Sequence, residues 1–98
     1  MTSTPNSPTA APEQASLIEY PCVFPIKVMG LHVEGFTEAL VELARVHDPL
    51  FDASTIEHRP SSTGKYMGVT LHINATSRVQ LDAVYGALTS HPMVKVVL

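Results

Sequence analysis

The sequence predicts an α+β sandwich: one four-stranded antiparallel sheet with two helices packed on one of its faces. Three observations lead there. Residues Met67 to Ala75 alternate strictly between apolar and polar or small side chains, the period of a half-buried strand. Two segments, Glu34–His47 and the stretch after Ser77, carry apolar residues at the three-and-four spacing of a helix with one buried stripe. Strand and helix patterns follow one another in the order β-α-β-β-α-β.

The first strand is expected over Cys22–Gly30. Phe24, Ile26 and Val28 point to one face, and Lys27 and Met29 to the other. Pro25 lacks a backbone donor, so this end of the strand is expected at an edge or a bulge. The first helix should run from Glu34 to about His47, burying Phe36, Ala39, Leu40, Leu43 and either Val46 or His47. Glu34, Glu38 and Glu42 lie toward its N-terminal half, where the helix dipole favours negative charge. Asp48-Pro49 stops it, because the residue before proline is pushed out of helical angles.

Ala53–Arg59 reads as the second strand and Lys65–Ala75 as the third, with Arg59-Pro-Ser-Ser-Thr-Gly-Lys65 turning the chain between them. Ser77 and Gln80 have capping-box spacing, and Leu81, Val84, Tyr85 and Leu88 follow as a core stripe. Ser90-His91-Pro92 ends this helix, and Met93–Leu98 is the last strand. Two right-handed crossovers joined by a hairpin make the ferredoxin-like split β-α-β arrangement, with sheet order 4-1-3-2. One sheet face stays open, which is why the third strand is apolar on one side only.

With 98 residues the chain makes one small domain. Residues 1–16 are rich in Pro, Ser, Thr and Ala and are expected to be a disordered tail, with a single domain over 17–98. Leu17, Ile18 and Tyr20 form a short apolar patch able to dock on the domain's edge. Nine acidic residues against six basic ones argue against a general nucleic-acid binder. Cys22 is the single cysteine; it precludes an internal disulfide and reads as a small apolar residue in a reducing compartment. No apolar run reaches the length of a membrane span, and the first positive side chain is Lys27, far from any secretory n-region. A soluble cytoplasmic protein is the expectation.

Short blocks across the domain carry a family likeness. Tyr20-Pro21 with Phe24-Pro25, Lys27-Val-Met-Gly30, Pro60-Ser-Ser-x-Gly64-x-Tyr66, Ile73-Asn-Ala-Thr76 and Val94-Lys-Val-Val-Leu98 resemble the YbeD-like family of small bacterial proteins. The resemblance covers about Tyr20 to Leu98. It implies a ferredoxin-like fold similar to ACT-type regulatory domains, which bind amino acids beside metabolic enzymes. It also implies a genomic link to lipoate biosynthesis. It supplies no catalytic residues to carry over. Gly68 departs from the serine-like residue expected there.

Candidate sites are few. Gly64-Lys65 echoes the end of a phosphate-binding P-loop, but Arg59 stands where the first glycine belongs and Tyr66 where Ser or Thr belongs. A strand follows instead of a helix, so the segment reads as a hairpin with Gly64 at positive φ. Arg59, Ser61, Ser62, Lys65 and Tyr66 remain candidates for recognising an acidic group on a ligand or partner. In the first turn, Gly30, His32 and Gly35 are candidates for contact with an amino-acid-like or carboxylate effector, as the likeness to ACT domains implies.

The five histidines share no ligand spacing. A turn centred near Ser62 would set His58 and His72 roughly 16 Å apart, too far for one ion, so neither metal nor cofactor is expected. Lys27, Met29, Tyr66, Thr70, His72 and Lys95 are assigned to the open face, which offers one aromatic where an RNA-binding sheet needs several. No Ser/His/Asp or Cys/His set converges, so an enzyme is not expected. The leading expectation is a small regulatory or adaptor protein that binds a metabolite, a partner enzyme, or both. The alternative is a ligand-free accessory factor in lipoate metabolism, with RNA binding behind both. A homodimer through an edge strand, the second or the fourth, is a further expectation.

Overall fold

A computed structural model describes residues 19–98. The expected tail over 1–16, and the patch residues Leu17 and Ile18, lie outside the described residues; Tyr20 packs at the margin of the core. The elements are β1 (Cys22–Leu31), α1 (Phe36–His47), a 3-10 turn (Ala53–Thr55), β2 (Glu57–Pro60), β3 (Tyr66–Ala75), α2 (Arg78–Thr89) and β4 (Val94–Val97). The sheet order is β2-β3-β1-β4, and every neighbouring pair is antiparallel. This is the ferredoxin-like fold that the element order predicts.

The alternation places Phe24, Ile26 and Val28 of β1 and Val69, Leu71, Ile73 and Ala75 of β3 beneath the helices. They meet Phe36, Leu40 and Ala44 of α1 and Leu81, Val84 and Leu88 of α2. Fully burying one large apolar side chain is worth about 1.5–3 kcal/mol, so this layer supplies most of the drive to fold.

Four details differ from the expectation. The first helix starts at Phe36, because Gly35 caps it with φ +90°. Its buried stripe takes in Ala44, while Val46 is 75% exposed and His47 half-buried. Ala53–Thr55 is a 3-10 turn and not strand, since the Asp52 carboxylate accepts the Ser54 N–H and holds the backbone there. Ser77 caps α2 as expected, but the reciprocal arm of the box is displaced by one residue: Gln80 Oε1 accepts from the N–H of Thr76.

Pro25 is accommodated as the sequence suggests. The N–H of Lys27 donates to Leu98 across the β1–β4 side. In a strand, residue i−2 points its nitrogen the same way. Pro25 therefore turns its missing donor toward the stretch of β1 that β4 does not reach, since that pairing runs through Val28–Gly30.

Candidate functional site

The sheet face away from the helices is a grid whose rows are set by strand register. One row crosses Glu57, Thr70 and Lys27, with Leu98 hydrogen-bonded opposite Lys27. The next crosses Arg59, Gly68, Met29 and Val96. These two rows, with Ser61 and Ser62, line a shallow concavity of about 820 Å³. Met29, Val96 and Leu98 expose 41, 48 and 69% of their surface there, so the floor is apolar and uncovered. Gly68 sits in the middle, where the absence of a side chain leaves a dip beside the Arg59 backbone and the Met29 methyl.

The sequence assigned Lys95 to this face. The register shift between Met29 and Gly30 puts Val96 opposite Met29 instead, leaving Lys95 exposed in the irregular stretch. A bulge adds one residue and breaks the alternation from which facing is inferred.

Charge is segregated. Of the six Lys and Arg, Lys27, Arg59, Lys65 and Lys95 belong to the strands or the hairpin tip, and Arg45 and Arg78 to the helices. Glu57 is the one carboxylate among the described strand residues, and it is engaged by His72 Nε2 at 2.9 Å. Glu38 and Glu42 on α1 and Asp82 on α2 lie in the helical layer. Within a chain of net charge −3, the open face thus holds two cations, Lys27 and Arg59, against one side-chain carboxylate, Glu57.

The hairpin tip uses most of its own hydroxyls. The N–H of Gly64 donates to the Ser61 carbonyl, and Gly64 takes φ +78°. Ser61 Oγ accepts the N–H of Tyr66 at 3.1 Å, and Thr63 Oγ1 accepts that of Lys65 at 3.4 Å. The density of Ser and Thr is therefore largely turn chemistry. Lys65 Nζ lies 5.5 Å from the Tyr66 ring centre.

The first turn joins this tip. His32 donates its backbone N–H to the Lys65 carbonyl, and its Nδ1 lies 3.0 Å from the Gly64 carbonyl oxygen. On the helix side, His32, Gly35, Thr37 and His58 border a second concavity of about 530 Å³. There Thr37 Oγ1 and His58 Nε2 are 3.1 Å apart.

Of the sequence candidates, Arg59, Ser61 and Ser62 line the sheet groove, and His32 and Gly35 the smaller hollow. Lys65 and Tyr66 lie at the tip between them. Gly30 lies in neither: it is buried, and a Cβ there would come within 2.6 Å of the Phe36 ring. Its missing side chain makes room for that ring. Residues that sequence reasoning did not bring to the site are Val96 and Leu98, hidden by the bulge. The role of Gly68 was signalled by its place in the β3 alternation.

His58 and His72 do not face each other. His58 pairs with the buried Val69 and so points to the helix side, while His72 shares the open face with Glu57. Among the described residues no group of three or more His, Cys, Asp or Glu side chains could hold a metal ion. Cys22 is a half-buried free thiol at the start of β1.

Fold and groove together define a small ferredoxin-like α+β module with an open and partly apolar sheet face. Residues 15–98 match the family model described as "Protein of unknown function (DUF493)", and the chain belongs to that family, which includes the YbeD-like proteins its motifs resemble. It is 59% identical over 87 residues to a UPF0250 protein of Leptothrix cholodnii, covering 89% of this chain and 96% of the relative. A UPF0250 protein of Ralstonia nicotianae is 56% identical over 93 residues, covering 95% and 96%. One from Nitrosomonas europaea is 49% identical over 85 residues, covering 87% and 98%. Among the described residues, no helix is long and apolar enough to cross a membrane.

Proposed function

We propose that this protein is a non-catalytic regulatory or adaptor module that engages a partner protein through the open face of its sheet. The observation that carries the reading is the groove itself. It has an apolar floor at Met29, Val96 and Leu98, cations at Lys27 and Arg59, and no element of the described chain packed over it. Open apolar surface rimmed by polar groups is the usual form of an interaction site. The groove's side chains bind and orient; they offer cations, hydroxyls and apolar area, with no nucleophile held against a base.

A photo-crosslinking amino acid at Ser62 tests this in the cytoplasm of a native-like host. A discrete adduct is expected from Ser62, and its loss when Lys27 and Arg59 are both changed to Glu. Equal labelling from a control position on α2, such as Asp82, would sink the proposal.

A second reading has its own observation. The hollow at His32 and Gly35 opens on the N-terminal end of α1, whose cap is a glycine without a side-chain hydrogen bond. Backbone N–H groups at a helix start favour an anion. This is where the likeness to ACT domains would place an amino-acid or carboxylate effector. A thermal-shift screen of amino acids and short carboxylates at millimolar concentration should raise the melting temperature if this reading is right.

A further inference from the structure

We propose that the sheet groove takes an extended acidic segment of a partner protein, with the pattern acidic–x–apolar–x–acidic. This rests on the adaptor reading and adds the chemistry of the occupant. Lys27 on β1 and Arg59 on β2 flank β3 from either side and are two residues apart along the strand direction. With strands about 4.8 Å apart and a rise of about 3.3 Å per residue, their Cα atoms are roughly 12 Å apart. In an extended peptide, positions i and i+4 lie on one face about 13 Å apart, with i+2 between them on the same face. The middle of the Lys27–Arg59 diagonal falls on β3 between Gly68 and Thr70. There the dip at Gly68 gives an apolar side chain room against the Met29 methyl.

Charge complementarity selects the sign. The face presents Lys27 and Arg59 within an acidic chain, and its one side-chain carboxylate, Glu57, is already engaged by His72. Single-stranded RNA would also meet cations here, but it stacks bases on aromatic side chains of the two central strands. The open face of β1 offers Val23, Pro25, Lys27, Met29 and Leu31, none aromatic, and β3 offers Tyr66 at the hairpin end and His72, which is held by Glu57. A second copy meeting this face with its acidic helical layer would make a heterologous contact, which closes only where the rotation between copies completes a ring.

Fluorescence anisotropy with the full-length protein and a labelled peptide GSETVTESG tests the proposal. The expected result is saturable binding that weakens about fivefold between about 50 and 300 mM NaCl. Changing Lys27 and Arg59 together to Glu should weaken it about tenfold or more. Gly68→Leu, which fills the dip, should weaken it comparably, while Gly68→Ser should bind nearly as well as the native chain. If Gly68→Leu fails to fold by circular dichroism, the charge-reversed variant and the peptide GSETSTESG, which lacks the apolar residue, decide the case.

Equal or tighter binding of GSKTVTKSG overturns the acidic pattern but leaves the adaptor reading intact. Groove-dependent binding of oligouridylate in place of the peptide overturns both. Loss of peptide binding together with concentration-dependent self-association in sedimentation assigns the face to a second copy and overturns the proposal. A failure of every peptide, with the Ser62 cross-link still formed and still lost on charge reversal, refutes the linear pattern alone.

Discussion

The carboxylate of Asp48, just beyond α1, accepts the backbone N–H of Asn74 near the end of β3 at 2.8 Å. The Asn74 side-chain amide donates to the same carboxylate at 3.1 Å, and the N–H of Leu50 does so at 3.1 Å. Asp48 is 3% exposed. Gln80 completes the junction: its Nε2 donates to the carbonyls of His47 and Asn74, and its Oε1 accepts from Thr76. The end of α1, the end of β3 and the start of α2 are thus tied at one point. Asp48→Ala strands these donors away from water and should cost about 2–4 kcal/mol, with Asp48→Asn costing less. Urea denaturation checks this, and a loss within about 0.5 kcal/mol would contradict the junction's role.

Gly30 and Gly64 are required for different reasons, and alanine separates them. At Gly30 a methyl group would run into the Phe36 ring and the Met93 carbonyl. Gly30→Ala should therefore cost about 3 kcal/mol through overpacking. At Gly64 a methyl meets nothing within 4 Å, but φ is +78°. Gly64→Ala should cost about 1 kcal/mol, from backbone strain alone. Equal losses at the two sites would refute this division.

Tyr85 buries its hydroxyl without a hydrogen-bond partner among the described residues. Burial pushes its phenol above the ordinary tyrosine range. A raised value in the folded state means that Tyr85 contributes its stability below the unfolded value of about 10 and loses it as pH rises through the folded one. Tyr85→Phe should leave stability at neutral pH unchanged or raise it by up to about 1 kcal/mol. It should also reduce the loss seen on titration above about pH 10, measured by denaturation at stepped pH.

Asp52 behaves in the opposite sense. Hydrogen bonds from the Ser54 side chain and backbone hold its carboxyl below the ordinary range, aided by Arg45. A lowered folded value gives a contribution present above the unfolded value of about 4 and lost as pH falls through the folded one. The stability difference between the native chain and Asp52→Asn should shrink on acidification below about pH 4. A difference independent of pH would mean that the carboxylate is not what holds the 3-10 turn.

Much of the site was visible in the alternation of β3. Once Val69, Leu71 and Ile73 are assigned inward, Gly68, Thr70 and His72 must face outward. The same rule fails at β4, where the irregularity opposite Met29 and Gly30 shifts the pattern and exchanges Lys95 for Val96. The hairpin between β2 and β3 was also legible, but its register was not. The sequence suggests a turn near Ser62; the pairing of Pro60 with Met67 centres it later. That small shift moves every β2 partner by two residues, which keeps each side chain on its face but carries Glu57 from opposite Gly68 to opposite Thr70, within reach of His72. Turn geometry thus decides which residues of one face become neighbours, which periodicity leaves open.

Asp48 shows the same division from the core side. In the sequence it is a helix-ending residue before a proline, and Asn74 is a polar residue on an outward strand position. Neither position predicts a buried carboxylate, because their separation of 26 residues is bridged only when the helix end folds over the strand.

By itself, then, the sequence determined the element order, the buried stripes, the helix cap at Ser77, the turn glycine at Gly64 and the topology that follows from them. Those properties come from local periodicity and backbone preference, which act over a few residues. Tertiary structure decided which cations share a face, which glycine makes a dip and which makes room for a ring, and where the bulge falls. Those depend on register between strands distant in sequence, a property of paired backbones that no single segment encodes.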